Sequence, residues 1–436
     1  MNRLRDRQAG MTLVELLVTM AILAIVTVGV LQTLSGFQRA YKLGNYKRQA
    51  ANYARVAHGY IERDLRLAGY GIDPALGIDF NIFSGSIAGG GSTDCTTAGG
   101  GQNSCATTQR DAVNGPDQLV FYARDPEYWV TDSPAIEPAG HAWTLRSTTG
   151  GTITVQGHGG DFFPKGQILQ IVCNSAVDAT YVTVANTVSN AGAAAPISIT
   201  LEGTQPGNPF KQNGLLSSAN GCVQSALSAA SAVKPWPRVF LVDRYRYFIQ
   251  NALLADNVTR QPFLMLDKGV DRDGNGTVDD KDIIAVAPGV SDLQVAYVRA
   301  QPPNATLKVG GTNPLRYCVV NAPITQSTSG TCLDGLRIFD FNAIGANRYD
   351  LYGYMRGVFA AGSPVRNSAD AGNIWGVDVA VVTRSLAEVR ELEPTDPPRL
   401  LNRTVVPNPP VGRFSYQSFQ TVVPTRNMRS HTLSFY

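Results

Sequence analysis

Twelve consecutive residues, Asp271 to Asp282 (DRDGNGTVDDKD), carry oxygen-bearing side chains at a fixed spacing. Asp271, Asp273, Asn275, Thr277, Asp279 and Asp282 fall at loop positions 1, 3, 5, 7, 9 and 12. Gly276 stands where such a loop turns sharply, and Val278 at its apolar eighth position. That spacing is the EF-hand pattern, which gathers enough oxygens for a hard cation from one short stretch of chain. Thr277 would contribute its carbonyl, and Asp279 its carboxylate directly or through water. Position 12 is Asp282 rather than a glutamate, a shorter side chain that either binds less well or draws the loop tighter. No long helix flanks the loop and no second loop accompanies it. The expectation is therefore one structural calcium ion ordering the connection between PFLML and DIIAV, not a paired sensor. The alternative is a solvated acidic turn between two strands.

A second chemical signal lies near the N-terminus. Met11 to Leu31 is almost wholly apolar, and these twenty-one residues span about 31 Å as a helix, close to the thickness of a bilayer core. Glu15 sits inside this stretch, where a charge costs about 2.5–3.5 kcal/mol, so it requires a reason. A secretory signal places its small-residue cleavage site after the apolar run. Here the small residue, Gly10, comes before it.

The remaining reactive side chains point away from catalysis. His58, His141, His158 and His431 are scattered, with no HExxH pattern or Cys/His cluster, and neither GxSxG nor a phosphate-binding loop occurs. The chain is read as a non-enzyme. Net charge is +3, and +1 once residues 1–10 are set aside, since these carry three arginines and one aspartate. Nucleic-acid binding needs a stronger basic excess. The six cysteines all follow the apolar stretch and form no CxxC, which suits disulfides in an oxidising compartment. Six cysteines allow 15 pairings. Pairing between sequence neighbours, Cys95–Cys105, Cys173–Cys222 and Cys318–Cys332, is expected, with free buried thiols as the alternative.

Several elements must position these groups. No proline occurs from Met1 to Asp73, so one helix can run from Thr12 to Ala68, roughly 85 Å. Two helices bent at Gly36 or Gly44 are the alternative. Tyr53, Val56, Ala57, Tyr60, Ile61, Asp64, Leu65 and Ala68 form a stripe at helical spacing. Gly69, Gly71 and Pro74 end it. A glycine-rich region, 71–112, follows. Short strand signals then run from QLVFYARD to ISITL, so 113–235 reads as an inserted β-rich lobe closed by Lys234-Pro235-Trp236-Pro237. From 236 to 436 strand character strengthens. RVFLVDRYRYFIQN carries Val239, Leu241, Tyr245, Tyr247 and Ile249 on one face. With no helical crossovers, antiparallel pairing fits. The fold class is α+β: a long N-terminal helix, hydrophobic then amphipathic, packed on an antiparallel sheet with an inserted β-rich lobe.

The run Gly10-Met11-Thr12-Leu13-Val14-Glu15 ahead of an apolar helix resembles the leader of prepilins. Ile61–Gly71, Val242–Gln250, Val377–Ser385 and Phe419–Asn427 resemble the corresponding segments of PilW-type minor pilins of type IV pilus systems. So does Gly289-Val290-x-Asp292-Leu293-Gln294-Val295-x-Tyr297. The resemblance covers about residues 1–74 and 238–436; the middle is without a counterpart. Many pilin stalks carry a proline in the membrane half, and this chain has none there.

The resemblance implies a pilin-like fold, with residues 1–10 a leader and 11–70 a membrane and stalk helix. It implies that prepilin peptidase cuts after Gly10 and methylates the amine of Met11. Glu15 would then attract the Met11 amine of a neighbouring subunit, since opposite buried charges become tolerable when paired. A neutral, protonated Glu15 is the alternative. The implied role is a minor pilin that helps start pilus assembly at or near the tip. Its partners would be other minor pilins, the major pilin and a tip adhesin. It would reside in the inner membrane with its C-terminal domain in the periplasm, and then in the extracellular pilus. A type II secretion pseudopilin and a surface-binding module carried on a pilus are the competing readings.

Overall fold

The computed structural model describes residues 12–73, 76–79, 116–125, 142–157, 161–173, 179–189, 196–205, 210–216, 222–229, 237–253, 260–300, 316–320, 322–327, 336–339, 374–389, 392, 396–398, 400 and 412–429. Gly10, Met11, Cys95, Cys105 and Cys332 lie outside these, as do the side chains of Cys222 and Cys318.

Helix α1 (Leu13–Leu65) is one unbroken helix of 53 residues, about 80 Å long and continuous across Gly36 and Gly44. Among the described residues its first half packs against no other element: Leu13, Leu17, Leu23, Ile25 and Leu31 are all more than half exposed. Burial begins at Ala50 and continues through Ala54, Ala57, His58, Ile61, Asp64 and Leu65. This inner face differs from the stripe expected of the sequence. Val56 and Tyr60 are 44% and 42% exposed, and Ala50, Ala54 and His58 replace them. Close approach decides the rotation. The Thr383 hydroxyl donates to the Ala50 carbonyl at 2.8 Å, which brings a strand against the helix backbone where larger side chains would intervene. Past Leu65, Gly69 and Gly71 adopt φ of 75° and 68°, and the Gly69 amide donates to the Tyr122 carbonyl.

The strands are β1 (Leu119–Arg124), β2 (Trp143–Thr149), β3 (Thr152–Gln156), β4 (Phe162–Phe163), β5 (Ile168–Val172), β6 (Ala179–Thr183), β7 (Val188–Ser189), β8 (Pro196–Thr200), β9 (Arg238–Leu253), β10 (Arg260–Asp267), β11 (Ile284–Pro288), β12 (Val290–Ala300), β13 (Arg316–Val320), β14 (Ala322–Ser327), β15 (Leu336–Phe339), β16 (Ile374–Arg384) and β17 (Tyr416–Pro424). Helix α2 (Cys222–Ala229) lies among them, in a stretch that the sequence assigns only to the β-rich lobe. Every strand pairing among the described residues is antiparallel. The architecture is α+β, a long apolar helix with antiparallel sheets.

Strand β9 is the spine. Its sixteen residues pair with β2 and β5 at the N-terminal end and with β1 and β10 towards the C-terminal end. Val239 and Leu241 pack into the lobe with Trp143, Phe163, Leu169 and Ile199. Tyr245 and Tyr247 pack under α1 with Ile61, Leu65, Phe121 and Val379. Strand β1, inside the expected lobe at 113–235, faces both ways: Leu119, Phe121 and Ala123 are buried in the helix core, and Val120 and Tyr122 pack on Ile168, Tyr181 and Phe210 of the lobe.

The segment DIIAVAPGVSDLQVAYVRA holds two strands, β11 and β12. Gly289, at φ 72°, ends β11, which pairs with β10, and starts β12, which pairs with β16 in the second sheet, ordered β15-β12-β16-β17. The chain changes sheets at this residue.

Candidate functional site

The connection from β10 to β11 builds the acidic loop. Asp267, the last residue of β10, receives Arg244 Nη2 at 3.2 Å and Arg246 Nη1 at 3.3 Å, and its other oxygen accepts the Gly269 amide. Lys268 Nζ reaches Asp243 at 2.7 Å. The chain leaves the sheet through Gly269 in a left-handed conformation and enters the loop at Asp271, which is fully buried.

Asp271 organises the loop's first half. Its Oδ1 accepts the amides of Gly274 and Asn275, and its Oδ2 accepts the Gly276 amide at 2.9 Å and the Thr187 hydroxyl at 2.7 Å. Burial pushes this carboxyl up. The Thr187 hydroxyl and the three amides outweigh that and hold it below the usual carboxylate range. Gly274 and Gly276 both take positive φ, the reason glycine suits the sharp turn.

Asp282 closes the second half. It lies in a short 3-10 turn, Asp280–Asp282, capped by Asp279. Its Oδ1 accepts the amides of Arg272 and Asp273, and its Oδ2 the amide of Asp279. The short side chain thus pulls the loop's end over its beginning. Carboxylate oxygens from Asp271, Asp273 and Asp282 converge within 4.8 Å of one another. The Asn275 amide nitrogen donates to Asp273 at 3.0 Å and to Asp279 at 3.3 Å, so a donor sits between these carboxylates. Rotating that amide by half a turn would present its oxygen instead. Thr277 touches the group only through Asn275, to whose oxygen it donates its amide and hydroxyl. Val278 is 36% exposed and joins no core. Three like charges this close repel strongly, and a divalent cation with oxygen preference is the species that such a set could hold.

Two contributors to this loop come from the lobe and carry no signal in the motif. Lys165 Nζ donates to the Gly276 carbonyl at 3.0 Å, and the Asp271 amide donates to the Lys165 carbonyl. The Thr187 oxygen in turn accepts the Lys165 amide. The backbones of Gly166 and Gly269 approach so closely that a Cβ on Gly166 would lie 2.2 Å from the Gly269 oxygen. The loop is therefore fastened to the lobe as well as to the sheet.

The other site is the start of α1. Thr12 is its N-cap, with the reciprocal bonds of a capping box. The Glu15 carboxylate accepts the Thr12 amide at 3.0 Å and the Thr12 hydroxyl at 3.1 Å, and the Glu15 amide donates to the Thr12 oxygen. Glu15 is thereby turned back toward the helix N-terminus, where the macrodipole favours a negative charge. Of the cysteines, Cys173 is disulfide-bonded, and Cys222, its expected partner, opens α2.

Residues 5–31 match the family model described as the prokaryotic N-terminal methylation motif. No curated protein and no solved structure matches the chain. The motif supports a type IV pilin-like or pseudopilin-like chain, processed by prepilin peptidase and anchored in a membrane before assembly. Families bearing this motif are structural rather than enzymatic.

Proposed function

We propose that this chain is a minor pilin of the PilW type, which helps start a type IV pilus and is carried at or near its tip. The observation behind this reading is a single helix with two unlike halves. One half is rooted in the sheets by Ala57, Ile61 and Leu65; the other is apolar, unpacked and preceded by the methylation motif. A helix so exposed has no place in water and suits first a bilayer, then a bundle of similar helices. Glu15 would exchange its Thr12 partners for the Met11 amine of a neighbour, favouring docking where a free amine waits.

The acidic loop fits the same reading as a structural calcium site held by Asp271, Asp273, Asn275, Thr277, Asp279 and Asp282. When bound, the ion would neutralise the converging carboxylates and stiffen the β10–β11 connection.

The test is intact-mass measurement of the subunit recovered from sheared filaments. The expected species begins at Met11 and carries one added methyl group. Gly10→Trp should leave residues 1–10 attached and keep the subunit out of filaments. Recovery of the uncut chain in filaments would overturn the reading.

A further inference from the structure

Between its apolar half and Glu62, α1 carries positive charge and no acidic residue. Arg39, Lys42, Lys47 and Arg48 are all exposed, and no acidic residue occurs between Glu15 and Glu62. None of the four makes an ion pair among the described residues. Successive residues turn by 100°, so the four point in different directions and form a collar rather than a stripe. Phe37 and Tyr41, each 72% exposed, lie just inside and within this collar. From Leu34 along the axis, Phe37 is about 5 Å on, Arg39 and Lys42 about 8 and 12 Å, and Lys47 and Arg48 about 20 Å.

A helix side chain leans toward its own N-terminus. The apolar span is N-terminal to the collar, so these long side chains reach back toward the bilayer rather than away from it. Aromatic residues at the edge of a span seat themselves at headgroup level. We infer that Arg39 and Lys42 are the part of this collar that binds anionic phospholipid headgroups on the leaflet facing the folded domain, with Phe37 and Tyr41 fixing its depth and Lys47 and Arg48, farther out, adding only longer-range attraction. The collar also runs against the usual bias that keeps lysine and arginine on the cytoplasmic side. Arg3, Arg5 and Arg7 offset it only while the leader is attached. Headgroup binding gives the collar a function in the unassembled subunit, setting helix depth before a filament takes the helix out of the lipid. This inference rests on the membrane-anchored reading of α1.

The test places the full chain in phosphatidylcholine vesicles and measures its selectivity for spin-labelled phosphatidylglycerol over spin-labelled phosphatidylcholine. Wild type should prefer the anionic lipid about fivefold, and 1 M salt should remove most of that preference. The pair Arg39→Gln/Lys42→Gln should lower it more than Lys47→Gln/Arg48→Gln, because it lies nearer the headgroups. Equal selectivity in wild type and both variants would overturn the inference. So would wild-type selectivity in the variants together with lost filament incorporation, which would assign the charges to acidic groups of a neighbouring subunit. Vesicle flotation separates the two levels. A chain that floats without lipid preference refutes the collar alone, and a chain that does not float refutes the anchoring and the collar together.

Discussion

The Tyr247 hydroxyl donates to the Asp64 carboxylate, joining the last turns of α1 to the spine strand β9. Asp64 is 3% exposed, and Arg63 Nε supplies its other oxygen at 2.7 Å from the solvent side. A carboxylate on the inner face of an amphipathic helix is costly unless paired, and here each oxygen has its donor. Tyr247→Phe removes one donor and changes little else, so it should destabilise the domain by about 1–3 kcal/mol. Urea unfolding of the full chain in detergent would measure it. A loss within error would mean that water or Arg63 alone satisfies Asp64.

The same tyrosine sets an alkaline limit. Burial raises the hydroxyl pKa of Tyr181 to about 12 and pushes Tyr245 and Tyr247 higher still, with neighbouring Asp243 adding to Tyr245 and Asp64 to Tyr247. These folded values lie above the unfolded value near 10, so the folded chain keeps protons that the unfolded chain releases. Their contribution is complete below about pH 10 and is lost as pH rises beyond it, by about 1.4 kcal/mol per pH unit for each tyrosine. Unfolding free energies at pH 9, 10 and 11 should fall more steeply over the second interval than over the first. Tyr247→Phe should make that fall shallower, and an equal slope in the variant would refute the assignment.

Gly289 is the third test. Its φ of 72° is strained for other residues, and a Cβ there would lie 2.7 Å from the Arg384 carbonyl. The same glycine donates to the Pro262 carbonyl and accepts from the Arg384 amide, fastening the chain where it passes between sheets. Both penalties apply to Gly289→Ala, which should cost more than the roughly 1 kcal/mol of a conformational change alone. Thermal unfolding compared with Gly59→Ala, an open site within α1, gives the contrast. Similar midpoints would show that the turn relaxes.

What was legible in the sequence was local. Periodicity marked α1, its terminating glycines and most of the strands, because side-chain alternation and helix spacing are written in neighbouring residues. Contacts distant in sequence were not legible. The inner face of α1 was misjudged at Val56 and Tyr60 because β16 approaches at Ala50, a partner 333 residues away. The way β1 divides its two faces between the helix core and the lobe was not legible either, because its partner β9 lies over a hundred residues later. The acidic loop was read from its own spacing, which brings Asp271, Asp273 and Asp282 together. Lys165 and Thr187, which fasten it to the lobe, carried no local mark at all.

That fastening would make binding of the proposed cation measurable at a distance. Asp271 holds the Thr187 hydroxyl of the lobe while its amide holds the Lys165 carbonyl, so whatever rigidifies the loop also rigidifies the lobe against the sheet. A ligand that binds only the folded chain stabilises it by about 2.7 kcal/mol at one hundred times its dissociation constant. Calcium should therefore raise the urea midpoint of the full chain and slow proteolysis of the lobe, and magnesium should do less because it demands a smaller octahedral site. Asp271→Ala with Asp273→Ala should abolish both effects. Thr187→Val leaves the proposed ligands in place, so it should keep the calcium-dependent heat in calorimetry but weaken the protection of the lobe. Absence of calcium-dependent heat in the wild type would reduce the loop to an acidic turn. Heat retained without lobe protection would show that loop and lobe are energetically separate despite their contact.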